Sequence, residues 1–149
     1  MRMRTPRRRA ATIVEAAFVL PIALLLLLGV FEYCRFIFFL QVAENAAREG
    51  ARYASARTGD GTTNTDVTTY VTDKMAGRAS DLTGMTITLA YVDPNTGTTI
   101  SGSTWNDAPF SGSIMVRISG TYSPLLTSFL KMPVSVPVQV TSIMGSEAN

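Results

Sequence analysis

Glu15-Ala16-Ala17-Phe18-Val19-Leu20-Pro21-Ile22-Ala23-Leu24-Leu25-Leu26-Leu27-Leu28-Gly29-Val30-Phe31 is the stretch whose reading decides the fold. No charge falls between Ala16 and Phe31, and Arg2, Arg4, Arg7, Arg8 and Arg9 all precede the run. A helix over residues 11–31 is about 30 Å long at ~1.5 Å per residue, enough to cross the hydrocarbon core of a bilayer. Pro21 removes one helix hydrogen bond and bends the helix or loosens the turn before it, which membrane helices tolerate. Glu15 stands between the arginines and the apolar core. A carboxylate at the mouth of such a helix is costly, so Glu15 is a candidate functional group.

Working outward, residues 1–10 carry five of the thirteen basic residues and none of the eleven acids. The remainder holds eight basic and eleven acidic residues, a net of minus three. The basic balance therefore belongs to the leader and not to a folded nucleic-acid-binding face, and no nucleic-acid partner is expected. As a topogenic flank it places the N-terminus in the cytoplasm and the C-terminal domain outside, in a single-pass protein of the inner (cytoplasmic) membrane. Conventional signal cleavage is not expected, because Phe31-Glu32-Tyr33-Cys34-Arg35-Phe36 offers no small-x-small site after the apolar core. Cys34 is the single cysteine and there is no histidine. An intramolecular disulfide is thereby excluded, a structural metal site is not expected and the usual general base is missing. No nucleophile–base pair suggests catalysis and no cofactor is implied, so the chain reads as a non-enzyme.

Helical patterning continues past the span. Residues 32–57 contain no proline and one glycine, Gly50. Glu44 and Arg48, and Glu49 and Arg52, have ion-pair spacing worth a few tenths of a kcal/mol each; Glu32 and Arg35 are also spaced to pair. Small residues recur four apart as Ala43, Ala47, Ala51 and as Ala46, Gly50, Ala54. Such rows let helices approach closely, either against the chain's own domain or against other subunits. Phe31, Tyr33, Phe36, Phe38 and Phe39 read as an aromatic belt at the outer interface. Cys34 within it reads as a buried small residue, with an intersubunit disulfide as the alternative.

Beyond the helix, residues 58–64 form a loop, and Asn64 or Thr65 is placed to cap a second helix over residues 66–79 with Val67, Tyr70, Val71 and Met75 on one face. Residues 85–92 alternate as a strand with Ile87, Leu89 and Tyr91 on one side, and Asp93-Pro94-Asn95-Thr96-Gly97 is a turn that could return residues 98–101 as a hairpin arm. Residues 102–112 read as a loop whose Trp105 anchors it in the core or, alternatively, contacts a ligand or surface. Ile114, Val116, Ile118 and Tyr122 mark another strand. Residues 124–130 are predicted as one or two helical turns with Leu125, Leu126 and Phe129 inward. Val134, Val136, Val138 and Val140 alternate in a last strand, which Pro137 places at an edge. Asp60, Asp66, Asp93 and Asp107 are scattered and suit turn and cap duties rather than calcium binding. The fold class is α+β: a long N-terminal transmembrane helix continuing into a spine helix packed on a small antiparallel sheet, a pilin-like plan. The organisation is a cytoplasmic leader over 1–10, a transmembrane helix over 11–31, its extramembrane continuation over 32–57 and an extracytoplasmic domain over 58–149.

Three blocks carry a family resemblance: Glu15-Ala-Ala-Phe-Val-Leu-Pro21, then Phe31-Glu32-Tyr33-Cys34-Arg35, then Glu44-Asn-Ala-Ala-Arg-Glu-Gly-Ala-Arg-Tyr-Ala54. Together they resemble TadE-like proteins, minor pseudopilins of the tight-adherence (Flp) pilus system. The resemblance is dense over residues 10–57 and thin afterwards. It implies a non-catalytic membrane subunit, with other pilins or pseudopilins and the pilus assembly machinery as partners and a prepilin peptidase acting at the cytoplasmic face. A cut between Ala10 and Ala11 would make Glu15 the fifth residue of the mature chain. Ala10 stands where prepilin sites usually have glycine, and Ala16 where an aromatic is common. After such a cut Glu15 could neutralise the new α-amino group of a neighbouring subunit, offsetting part of its own desolvation cost. Alternatively, it reaches back to the headgroups beside its own arginines. A second function class also fits: a permanently anchored extracytoplasmic binding module of the cell envelope.

Overall fold

In the computed structural model, which describes residues 7–125 and 135–147, the apolar span and the charged, alanine-rich segment after it form one helix, α1 (Arg7–Ser55). Pro21 lies inside it and does not end it. The helix closes at Ser55, whose hydroxyl bonds back to the Arg52 carbonyl (2.9 Å), and Thr58 repeats the device on the carbonyls of Ala54 and Ser55 (3.3 and 3.2 Å).

The second helix, α2 (Asn64–Lys74), is shorter than its apolar periodicity predicts and starts two residues earlier. Thr63, not Asn64 or Thr65, is the cap: its side chain accepts from the Asp66 N–H while Asp66 accepts from the Thr63 N–H (2.8 Å), a reciprocal pairing that satisfies two end donors. Two consecutive left-handed residues, Ala76 (φ 50°) and Gly77 (φ 78°), end it, and a 3-10 turn, Arg78–Asp81, leads into the sheet.

Three strands, β1 (Leu82–Val92), β2 (Ser113–Tyr122) and β3 (Val136–Gly145), form an antiparallel sheet in chain order. The arrangement is the predicted α+β. β1 begins three residues before the alternation does, because a bulge between Thr83 and Thr86, with Gly84 at φ 65°, lets Leu82 pair with Tyr122. The hairpin arm after the Asp93–Gly97 turn reduces to one bridge, Val92 with Thr99, and one bond from the Ile100 N–H to the Tyr91 carbonyl (2.9 Å). β3 is at the edge as Pro137 requires and continues to Gly145. Val134, Leu126 and Phe129 lie outside the described residues. Leu125 is described and is 70 % exposed rather than inward. Its backbone N–H is drawn to Glu32 (3.3 Å), which turns the side chain out.

The core forms where one face of α1 meets the sheet and α2. Ala43, Ala46, Ala47, Ala51 and Ala54 are fully buried with Ile114, Val116, Ile118, Val67, Val71 and Met75. Gly50 sits at the closest approach: a Cβ there would meet Val71 Cγ2 at 2.3 Å and Val116 Cγ1 at 3.5 Å. The valine of a neighbouring helix has little rotamer freedom with which to yield. Trp105 is buried as predicted, in a 3-10 turn, and donates its indole N–H to Asn64 Oδ1. On the flank of α1, Tyr53 stacks on Tyr70 (4.3 Å), with Arg57 over one ring and Lys74 over the other. The C-terminal strand returns to the helix end, where the Glu147 N–H donates to the Ser55 carbonyl (2.9 Å).

Candidate functional site

Helical phase divides α1 in two. In its outer half, Glu32, Phe39, Ala43, Ala46, Ala47, Gly50, Ala51 and Ala54 fall on one stripe and are buried. In its N-terminal half every residue from Ala11 to Leu27 is exposed, including Phe18, Leu20, Ile22, Leu26 and Leu27. Both small-residue rows are occupied by the chain's own sheet and second helix. From Gln41 to Arg52 what the outer half presents outward is polar: Gln41, Glu44, Asn45, Arg48 and Arg52, with Glu44 and Arg48 paired at 3.7 Å. The apolar surface left without an intrachain partner is therefore the N-terminal half. Glu15 is exposed there, and among the described residues no ion pair includes it. The Ala10–Ala11 peptide bond lies within α1.

The two halves meet at Glu32, 1 % exposed, which the sequence presents only as half of a helical ion pair. Its Oε1 accepts from Arg35 Nε (3.3 Å), from the Tyr122 hydroxyl (3.2 Å) and from the Leu125 N–H (3.3 Å). Arg35 also donates to the Ser123 carbonyl (3.3 Å), pairs with Asp81 (3.6 Å) and lies 5.0 Å from the centre of the Tyr122 ring. Phe36 and Phe39 pack on the same ring at 5.0 and 5.4 Å. The network joins α1, the end of β2 and the turn before β1, fixing the angle at which the apolar half leaves the domain. It also corrects the aromatic belt. Phe31, Tyr33 and Phe38 are exposed, whereas Phe39 is buried and Phe36 half-buried, because spacings of four (Phe36) and seven (Phe39) from Glu32 place them on the core face. Cys34, two residues from Glu32, lies on the opposite face and is exposed rather than buried.

Next to Glu32 is a cavity of about 180 Å³ lined by Glu32, Tyr33, Phe36, Tyr122, Pro124 and Val136. Among the described residues, Glu32 Oε2 is buried without a hydrogen-bond partner. A wider groove of about 430 Å³ lies between α1 and β3, lined by Leu40, Glu44, Arg48, Gln139, Val140 and Thr141. Both of its charged residues are already paired with each other. No group of three or more metal-ligating side chains occurs among the described residues.

The aspartates do what turns and caps require. Asp60 accepts from the Thr62 N–H (2.8 Å), Asp93 from the Asn95 N–H (2.8 Å), and Asp107 forms a second capping box with Thr104. Bonds from the Thr62 side chain and backbone hold Asp60 below the usual carboxylate range. The Thr63 backbone and side chain do so for Asp66, and the Thr104 side chain and backbone for Asp107. At the junction, burial first and the Glu32 charge next push the Tyr122 phenol up to about 12, against the pull of Arg35. The two effects act at opposite ends of the pH scale. The lowered aspartates bind fewer protons folded than unfolded, so their contribution is present above pH ~4 and lost as pH falls through the folded values. The raised phenol keeps its proton longer when folded, so its contribution is intact below pH ~10 and lost as pH climbs toward 12. Melting of the detergent-solubilised chain, followed by near-ultraviolet circular dichroism, should show both flanks. Asp66→Asn with Asp107→Asn should flatten the acid flank, and Tyr122→Phe the alkaline one.

A small α+β domain carried on one long helix, exposed and uncharged from Ala16 to Leu27, defines the class. One helix among the described residues is long and apolar enough to cross a membrane, and its position suggests membrane anchoring. Residues 10–52 match the family model described as TadE-like protein, the family that the sequence resembles. The match falls on α1 alone, from the residue before the inferred cut to Arg52, and leaves the sheet outside it. No curated protein and no solved structure matches the chain.

Proposed function

We propose that this chain is a non-catalytic, minor pseudopilin-like subunit that supports assembly of a tight-adherence (Flp-type) pilus. One observation carries the reading: a single continuous helix buries one half in its own domain and leaves the residues from Ala16 to Leu27 apolar, exposed and headed by Glu15. The TadE-like match over the same helix supports it. In this reading the N-terminus is cytoplasmic, the sheet domain lies outside the inner membrane, and residues 11–31 serve first as a membrane span and then as the surface that meets other pilins or pseudopilins. The outer half of α1 does not share that work through Ala43, Ala47, Gly50, Ala51 and Ala54, which the domain already covers. Glu15 sets axial register by pairing with a neighbour's α-amino group. Processing between Ala10 and Ala11 by a prepilin peptidase supplies that group.

N-terminal sequencing of the membrane-extracted protein, produced with its peptidase, tests the processing step. The expected first residue is Ala11. A chain still beginning at Met1 contradicts it and favours the permanently anchored binding module.

A further inference from the structure

We infer that the underside of the outer domain, from Tyr33 across the apolar cavity to Leu125, sits in the outer interface of the bilayer and is covered by lipid acyl chains. The inference rests on the membrane-anchored reading of α1. Two bonds fix the level of this surface. The Leu125 N–H donates to Glu32 Oε1 (3.3 Å) and Arg35 Nη2 donates to the Ser123 carbonyl (3.3 Å), so the segment after β2 lies against α1 at residues 32–35. Helical side chains lean toward the N-terminus, which carries the Glu32 carboxylate, and Leu125 with it, toward the span. A hydrocarbon core about 30 Å thick takes about 20 helical residues. Counted from Ala11 it ends near Val30; counted from Ala16, the first residue past Glu15, it ends near Arg35. On the first count Leu125 stands within a helical turn of the core boundary, and on the second it lies inside it.

The side chains at this level are sorted the reverse of a water-facing surface. The charged ones are withdrawn and joined to each other: Glu32 is 1 % exposed, Arg35 15 % and Asp81 19 %. The apolar ones are put out: Leu125 is 70 % exposed, and Phe31 and Tyr33, which flank Glu32 on the helix, are 58 % and 64 % exposed. One exposed leucine needs no explanation, but a set of exposed apolar side chains beside withdrawn charges marks a contact surface.

Between Tyr33 and Pro124, the residue before Leu125, lies the cavity of about 180 Å³, and the surface it offers is apolar throughout. Such a hollow holds water poorly and accepts hydrocarbon. Lipid is the occupant because the surface continues the span: Phe31 and Glu32 are neighbours on one helix, so whatever surrounds the end of the span reaches Leu125 without a further partner. Extraction of the subunit then has to release this second contact as well as the helix.

The test uses the full chain with Cys34→Ser, carrying one nitroxide-labelled cysteine at a time and reconstituted in phosphatidylcholine vesicles at high lipid excess. Leu125→Cys reports on the underside, Leu26→Cys on the span, where Leu26 is 69 % exposed, and Asn95→Cys on the exposed turn beyond the far end of β1. Leu125→Cys changes an exposed side chain and leaves its backbone bond to Glu32 in place, and an unchanged near-ultraviolet spectrum verifies the fold. Expected at 125 is ready access to oxygen, with access to a water-soluble nickel complex roughly tenfold below that at 95, because a polar complex is excluded from hydrocarbon. Equal nickel access at 125 and 95, with 26 protected, overturns this surface alone. Protection of 125 from both reagents also overturns it, in favour of a covering protein segment. Nickel access at 26 defeats the anchored reading together with it.

Discussion

Glu15→Ala should abolish surface pili while the protein still enters the membrane in normal amount. Removing a carboxylate from the mouth of an apolar helix makes insertion easier, not harder, since the group costs about 2.5–3.5 kcal/mol at a helix centre and less near the interface. If Glu15 only reached back to the headgroups, alanine would be harmless. If it pairs with a neighbour's α-amino group, alanine leaves a cation unmatched in a low-dielectric contact and removes the element that sets register. One unmatched buried charge costs about 3–5 kcal/mol, and the cost recurs at every subunit contact of this kind. Glu15→Asp keeps the charge but shortens the reach, and should retain partial piliation. Shear-released pili and carbonate-extracted membranes from the same cells give both readouts. Normal piliation in Glu15→Ala defeats the role assigned to that residue.

Arg35→Met should destabilise the outer domain by about 3–5 kcal/mol, the cost of leaving a buried charge without its partner. The guanidinium is 15 % exposed and serves Glu32, Asp81, the Ser123 carbonyl and the Tyr122 face at once. Methionine fills much of the volume and supplies none of the charge. Against a total stability of roughly 5–15 kcal/mol for a domain, the loss is large. Denaturant melts of the full chain in detergent measure it. Arg35→Met with Glu32→Leu should recover a substantial part, since removing both partners spares the stranded carboxylate. A single variant that melts within about 1 kcal/mol of the parent would show that the junction does not hold the domain to the helix.

Much of this architecture is local and therefore legible in the residues themselves. The valine alternation of β3, the edge placement demanded by Pro137 and the continuity of α1 through the small-residue rows all rest on periodicity or backbone chemistry within one element. The cap at Thr63 is equally local, but it competes with two neighbouring residues able to cap. Periodicity could not arbitrate, and the start of α2 moved by two residues. Its end depends on Ala76 adopting a left-handed conformation, for which alanine carries no signal. The junction is the other case. Glu32 and Arg35 announce a surface pair at helical spacing, while the partners that make the site, Tyr122, Ser123 and Leu125, arrive from the far end of the chain. Pairwise spacing carries no information about them. One clue was available: extending the buried row Ala47, Ala43 backward at helical spacing reaches Phe39, Phe36 and Glu32, and excludes Cys34.

The central claim is that residues 11–31 form a docking surface for other subunits and not merely a tether. Exchange of that span for a polyleucine helix of equal length, with Glu15 absent and the leader and residues 32–149 unchanged, tests it most directly. Pilus assembly is scored in cells where membrane insertion and folding of the outer domain are verified. The account predicts an inserted, folded protein and no pili. Pili at the parental level would contradict it.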